Sequence, residues 1–236
     1  MVDPRKIKFI AFDADDTLWH NESLFTLTQD KFKQLLLPYH TEEWIGQKLY
    51  ETETRNIEHF GYGVKGFTLS MIETAIELSE GRIGGDEIAQ IIGFSKEMLR
   101  SPVEVFDGVE ETIQRLSQTH RLLIITKGDL FDQESKIARS GLDRYFSHVE
   151  VVATKTAETY EKILSRQNIP RENFMMVGNS LKSDVLPVTM LGGTAVHIPY
   201  ATTWAHEEVG AEELDGHDFI RLEDIRDLTG LLVGDE

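Results

Sequence analysis

The chain has 236 residues, a formal net charge of −17, 40% apolar and 28% charged residues, and no cysteine. This composition is typical of a globular protein, and it excludes disulfides, thiolate metal sites and cysteine catalysis. The negative charge argues against nucleic acid and anionic membranes as partners. The apolar runs are too short for a membrane-spanning helix, and the first residues lack the apolar stretch of a signal peptide, so we expect a cytoplasmic protein.

The first predicted element is a short apolar run that ends in a cluster of acids. Residues 7–12 contain Lys8 as their single charge, which predicts a strand covered on both faces, as in a parallel sheet. Asp13 and Asp15 follow directly, with one residue between them. The carboxyl edge of an open α/β sheet is where ligands bind. Clustered carboxylates repel one another, so this interpretation needs a nearby cation; taken alone, the pattern is more typical of a solvated Asp-rich loop.

Residues 19–102 have a helical pattern. Apolar residues recur at spacings of three and four in four consecutive stretches, which predicts four amphipathic helices with short connections. Such a segment favours a small antiparallel bundle that forms a domain of its own. The predicted helices are bounded by residues that typically cap or end helices, namely Pro38, Thr41, Gly61, Gly81, Gly84 and Ser101.

Residues 103–236 alternate between helix and strand. This predicts a parallel, doubly wound sheet, which together with residues 1–18 forms a three-layer Rossmann-like α/β core around the inserted four-helix domain. The stretch 207–218 is rich in acids and glycine and is interpreted as a solvated loop. The predicted strands are 122–126, 149–153, 174–177, 194–198 and 219–220, and the predicted helices are 109–117, 129–140, 157–166, 183–191 and 222–232.

Polar residues follow several of these strands. Because parallel strands bring their carboxyl ends to one edge, we expect these residues to meet Asp13 and Asp15 there. Together they supply an acid or nucleophile, a hydroxyl donor, a fixed cation and carboxylates for a hard metal. The residues are Thr126, Lys155, Asn179 and Asp184, and Lys127 follows Thr126 directly.

At this point the pattern resembles a known family. Asp13-x-Asp15-x-Thr17, then Thr126, then Lys155, and finally Gly178-Asn179-Ser180 with Asp184 resemble the four motifs of the haloacid dehalogenase-like (HAD) hydrolase superfamily. They occur in the family's order and on the expected elements. The helical segment 19–102 is similar to the family's type 1 cap.

The resemblance implies roles for these residues. Asp13 would be the nucleophile that forms an aspartyl-phosphate, and Asp15 would act as general acid and then as general base. Thr126 would bind a phosphoryl oxygen, and Lys155 would neutralise charge in the transition state. Mg²⁺ would be held by Asp13, the backbone carbonyl of Asp15 and Asp184.

Three positions bear on how far the family chemistry applies. Asn179 stands where an acid is frequent, so it would contact the metal through water and leave the site with less negative charge. Lys127 stands where Asn is frequent, and it could contact the phosphate, the substrate or solvent. Asp15 favours phosphate esters, since the dehalogenases and phosphonatases of the family lack an acid at that position.

The expected function is therefore Mg²⁺-dependent hydrolysis of a phosphate monoester of a small metabolite. A phosphomutase or phosphotransferase acting on a sugar phosphate is an alternative, because a second hydroxyl can replace water as acceptor. A third hypothesis is a non-catalytic phospho-accepting or binding module. The presence of Asp13, Asp15, Asp184 and Lys155 argues against it. The sequence leaves the substrate and the oligomeric state open.

Overall fold

The computed structural model describes residues 4–200, 207 and 209–234. The chain separates into two compact units. One comprises Met1–His20, Val103–Lys127 and Lys136–Glu236, and the other comprises Asn21–Pro102 and Gly128–Ser135. The first unit contains the α/β pattern and the second the helical one. The grouping of Gly128–Ser135 with the helices has no counterpart in the sequence pattern, which continues there as part of the α/β alternation.

The α/β unit is built on a parallel sheet in the order β3-β2-β1-β4-β5-β6. All five pairings between neighbouring strands are parallel. The sequence runs outwards from β1 to β3, then returns to β4 on the other side of β1, so the topological switch point lies between β1 and β4. The strands are β1 (Phe9–Phe12), β2 (Arg121–Lys127), β3 (His148–Val152), β4 (Phe174–Gly178), β5 (Thr194–His197) and β6 (Ile220–Arg221).

The helical unit has its own apolar core. Four helices build it: α1 (Glu22–Leu36), α2 (Glu42–Phe60), α3 (Val64–Leu78) and α4 (Gly85–Arg100). Thr41 caps α2 by accepting a hydrogen bond from the Trp44 amide at 3.4 Å, which is the cap that the sequence predicts. The buried stripes of all four helices meet in one cluster, which includes Phe32, Ile45, Met71 and Ile91.

Successive side chains of the central strands point to opposite faces of the sheet, which creates two further cores. Ile10 and Phe12 of β1 contribute to one of them and Ala11 to the other. Residues of α5 (Val109–Ser117), α6 (Leu130–Ser140) and α9 (Asp227–Leu232) pack in the first core. Residues of α7 (Ala157–Gln167) and α8 (Leu186–Met190) pack in the second. The sheet is therefore the middle layer of three.

The predicted fold class is confirmed, with two local corrections. The predicted helix 183–191 begins as one turn of π-helix, Leu181–Val185, before α8. The predicted helix 222–232 is helical only over Asp227–Leu232, because the chain turns at Asp224, which accepts hydrogen bonds from the Arg226 backbone and side chain. Among the described residues, none of the helices combines the length and apolarity needed to cross a bilayer.

Candidate active site

The predicted site residues of the α/β unit gather at the switch point of its sheet. The Asp13 amide donates to Val177 O at 2.9 Å, so the parallel pairing of β1 with β4 continues one residue beyond the strand. Asp13 therefore stands beside the carboxyl end of β4, from which Asn179 and Asp184 follow. The strand order, rather than proximity in sequence, brings these side chains together.

A buried lysine joins two aspartates at the centre of the site. Lys155 Nζ lies 2.5 Å from Asp13 Oδ1 and 2.6 Å from Asp184 Oδ1. The side chains of Lys155 and Asp184 are each 1% exposed and that of Asp13 is 11% exposed. Lys155 lies in the loop between β3 and α7, and the next residue, Thr156, caps α7 through the Thr159 amide. The lysine is the cation that the clustered acids require.

Charge is not fully balanced within this trio. Burial raises the pKa of Asp13 to about 7; Lys155 opposes that rise, and Asp184 adds to it. Burial by itself lowers the pKa of Lys155. The carboxylates of Asp13 and Asp184 together have a larger, opposite effect, so the pKa of Lys155 lies above its usual value. Lys155 is thus a fixed ammonium, and the Asp13 carboxylate lacks part of the positive charge that would offset its burial.

Asp184 is held by a tightly built turn. The Ser180 side chain caps the π-helical turn by accepting from the Ser183 amide at 3.0 Å, and the Ser180 amide donates to Asp184 Oδ2 at 3.0 Å. A β-carbon on Gly178 would lie 2.2 Å from Asp184 Oδ2. Glycine is therefore required at this position by the space that the Asp184 carboxylate occupies. Single π turns occur frequently at functional sites.

Thr17 links the strand ends on the other side of Asp13. Its hydroxyl lies 3.2 Å from both Asp13 Oδ2 and Asn179 Oδ1, and it accepts from the Asn179 amide at 3.1 Å. Since a hydroxyl has one proton, Thr17 shares it between the two acceptors. The amide oxygen of Asn179, a predicted metal contact, is here an acceptor for Thr17.

Two donors from the α/β unit form hydrogen bonds with the Asp15 carboxylate. Lys136 Nζ lies 2.7 Å from both carboxylate oxygens, and the Trp19 indole nitrogen donates to Oδ1 at 2.7 Å. Trp19 is fully buried, and Lys136 is buried as well. No motif or spacing in the sequence singles out Lys136, which lies on α6.

Thr126 and Lys127 end β2. Thr126 is buried, and its hydroxyl donates to Lys127 O at 3.4 Å. Lys127 Nζ donates to Ser183 Oγ at 2.9 Å and forms an ion pair with Glu207. The Glu207 carboxylate also accepts from the Ser180 and Ser183 hydroxyls. The prediction of a solvated loop is wrong at Glu207, whose side chain is 12% exposed because it is paired with Lys127.

Comparison with known proteins agrees with this geometry. A family model described as haloacid dehalogenase-like hydrolase matches residues 7–187, about three quarters of the chain. The chain belongs to this family. It is a hydrolase with the HAD arrangement of an α/β core and an inserted helical segment, as the motifs predict.

Three relatives illustrate the range of similarity. A haloacid dehalogenase-like family hydrolase from Xanthomonas campestris is 40% identical, with a TM-score of 0.84, over 97% of this chain and 90% of that one. The glyceraldehyde 3-phosphate phosphatase of Methanothermobacter thermautotrophicus is 26% identical over 96% of this chain and 100% of its own. A Bacillus subtilis HAD hydrolase described as bound to magnesium shares the fold at 17% identity, with a TM-score of 0.65, over 96% of this chain and 98% of its own.

The oxygen atoms of the site fit a hard divalent cation. Two buried carboxylates share one lysine, and burial raises the pKa of Asp13, so a further cation beside these oxygens would stabilise the charged form of Asp13. Over the described parts of the chain, no three His, Cys, Asp or Glu side chains form a metal-binding group. Since the Asp15 side chain is directed to Trp19 and Lys136, the groups that would hold a cation here are the carboxylates of Asp13 and Asp184, with the Asp15 backbone carbonyl and water.

Proposed function

We propose that this HAD hydrolase is a phosphatase that cleaves the phosphate monoester of a small metabolite through an aspartyl-phosphate on Asp13. The observation that carries the proposal is the buried Lys155, which contacts both Asp13 and Asp184 at the carboxyl edge of the sheet. A fixed ammonium beside a nucleophilic carboxylate stabilises the negative charge of a transferring phosphoryl group. The pairing also keeps the Asp13 oxygens in place without a substrate.

The other side chains of the site have matching tasks. The Thr17 hydroxyl accepts a hydrogen bond from the backbone amide of Asn179 and donates one toward Asp13 Oδ2. These two contacts fix the orientation of the Asp13 carboxylate. Asp15 is the acid that gives a proton to the leaving oxygen and the base that later takes one from water. Thr126, with a buried hydroxyl at the end of β2, donates to a phosphoryl oxygen.

A bound Mg²⁺ would contribute positive charge and bind the phosphoryl oxygens in the manner of other phosphoryl-transfer sites. Asp13, Asp184 and the Asp15 backbone carbonyl are its proposed ligands, and Asn179 would contact it through water. The magnesium in the B. subtilis relative supports this choice of metal. Loss of activity in EDTA and its return with MgCl₂ are the expected results.

The substrate class follows from the relatives and from the charge of the protein. Two curated relatives, each 26% identical, are glyceraldehyde 3-phosphate phosphatases, which makes short phosphorylated metabolites the first to test. A net charge of −17 disfavours polyanionic substrates. We further propose that the helical unit is a cap whose residues select among small esters, as in the type 1 cap that it resembles.

A phosphate-release assay tests the proposal. A panel of triose, sugar and nucleoside phosphates is incubated with the protein, with and without Mg²⁺, beside Asp13→Asn. Asp16→Asn is the matched control, because Asp16 has φ +60 and asparagine tolerates that conformation. We expect release of inorganic phosphate by wild type and by Asp16→Asn, and none by Asp13→Asn. Turnover by Asp13→Asn equal to wild type, or no turnover of any ester, would contradict the proposal.

A further inference from the structure

The contact between Lys136 and Asp15 is more specific than a general charge pairing. Lys136 Nζ is equidistant, at 2.7 Å, from the two oxygens of the carboxylate. The side chains of Lys136 and Asp15 are 11% and 21% exposed, so water screens the pair less than it screens a surface pair. An ammonium centred on both oxygens restricts rotation of the carboxylate about its last bond.

The second donor to Asp15 is held by the backbone of the same turn. The Asp16 amide donates to Trp19 O at 2.8 Å, and the Leu18 amide donates to Ala14 O at 2.8 Å. Trp19 is fully buried, so its indole is a fixed point to which Asp15 Oδ1 is attached at 2.7 Å. Trp19 fixes one oxygen, and Lys136, which comes from a helix far along the chain, fixes the orientation of the whole group.

We propose that Lys136 is a positioning residue that sets the orientation of Asp15 for proton transfer to the leaving group. This inference rests on the proposed phosphatase function. In the step concerned, Asp13 Oδ bonds to phosphorus while the bond between phosphorus and the ester oxygen breaks. The electron pair of that bond goes to the ester oxygen, which takes the proton of Asp15 and leaves as the alcohol.

The second half of the reaction restores the starting state. The Asp15 carboxylate takes a proton from water, the water oxygen bonds to phosphorus, and the bond from phosphorus to Asp13 breaks. Inorganic phosphate leaves, Asp13 is again a carboxylate, and Asp15 is again an acid. Lys136 takes part in no bond change.

Dependence on the leaving group distinguishes positioning from structural support. p-Nitrophenolate leaves without a proton, whereas the alkoxide of an alkyl phosphate must be protonated as it leaves. The ratio kcat/KM reports only the steps through leaving-group departure, so the later base role of Asp15 does not enter. For Lys136→Met we expect a loss of about 10²-fold in kcat/KM for an alkyl phosphate from the panel. For p-nitrophenyl phosphate we expect a loss of less than about threefold, since its departure gains little from an acid.

Companion variants make the result decisive. Lys136→Arg keeps a cation that can contact both oxygens, and it should recover most of the alkyl activity. Lys136→Gln offers a neutral donor, and its kcat/KM for the alkyl phosphate should lie between those of the arginine and methionine variants. It replaces Lys136→Met in the test if the methionine variant does not fold. Lys162→Met removes an exposed lysine of α7 that pairs with Glu158 at the surface, and it should leave kcat/KM for both substrates unchanged.

The outcomes separate the two proposals. Suppose that wild type hydrolyses both esters. If kcat/KM of every folded Lys136 variant then falls equally for the two esters, or falls for neither, the positioning role is refuted while the phosphatase function stands. If wild type hydrolyses no ester, the function itself fails and this inference fails with it. A selective loss on the alkyl ester, with recovery by arginine, supports the inference.

Discussion

Gly178 offers a sharp test of the site because its environment leaves no room for a side chain. In Gly178→Ala the new β-carbon would lie 2.2 Å from Oδ2, 2.3 Å from Cγ and 2.7 Å from Cβ of Asp184. The first of these distances is 1.2 Å short of the 3.4 Å at which ordinary contact begins. The Asp184 backbone is held by the hydrogen bond from its amide to Ser180 O at 2.9 Å. The carboxylate must therefore move by roughly 1 Å, a displacement that costs about 10²-fold in rate when it affects a catalytic group.

The expected result has an activity part and a stability part. Moving Asp184 lengthens its 2.6 Å contact with Lys155, so we expect kcat/KM for phosphate release to fall about 10²-fold. Overpacking of this kind lowers the free energy of unfolding by about 1–3 kcal/mol, measured by urea denaturation. Gly93→Ala in α4 is the matched control, since a β-carbon there meets nothing within 4 Å. Gly93→Ala should retain full activity, and its free energy of unfolding should rise by about 0.5–1 kcal/mol. Wild-type kcat/KM in Gly178→Ala would refute the reasoning.

Two further substitutions test the buried charges. Lys155→Met leaves Asp13 and Asp184 buried without their cation. We therefore expect the rate of phosphate release to fall about 10²–10³-fold and the free energy of unfolding to fall by about 3–5 kcal/mol at neutral pH. An unchanged midpoint of urea denaturation would contradict this expectation. Burial, and then Glu22, raises the pKa of Glu53 to about 8 from 4.5, so the fold loses stability as pH rises through that interval. Glu53→Gln removes this loss, and its gain in unfolding free energy should grow from near zero at pH 4.5 to on the order of a few kcal/mol at pH 9. Exposed Glu58→Gln on the same helix is the control, and a gain that does not change with pH would refute the Glu53 argument.

The sequence predicts the sheet and the centre of the site because both depend on local pattern and simple topology. The apolar run before Asp13 marks a buried strand, and the parallel order then brings Asp184 and Lys155 to the same edge. The motif residues carry the prediction further because their order along the chain matches that of a family. The metal contacts and the catalytic roles remain predictions that the assays above address.

Other features of the site depend on tertiary packing and leave no signal in the sequence. Lys136 follows Ser135 on an amphipathic helix, where a lysine is normally solvated, and only the packing of α6 places it on Asp15. Glu207 lies in an acidic stretch whose composition predicts a solvated loop, yet it pairs with Lys127. In both cases the partner is far away in sequence, so no periodicity or spacing can indicate the contact.

The charge balance of the site explains how so acidic a protein can bind an anionic ester. Asp13, Asp15 and Asp184 contribute three carboxylates, and Lys136 and Lys155 contribute two ammonium groups, which leaves one net negative charge when all are ionised. A divalent cation at the proposed site reverses the sign to one net positive charge. Inside a largely buried site this local charge outweighs distant surface acids, because screening suppresses their effect beyond about 10 Å at 0.1 M salt. The acidic surface still repels extended polyanions, so the charge distribution favours a small phosphate ester over an extended polyanion as the bound anion.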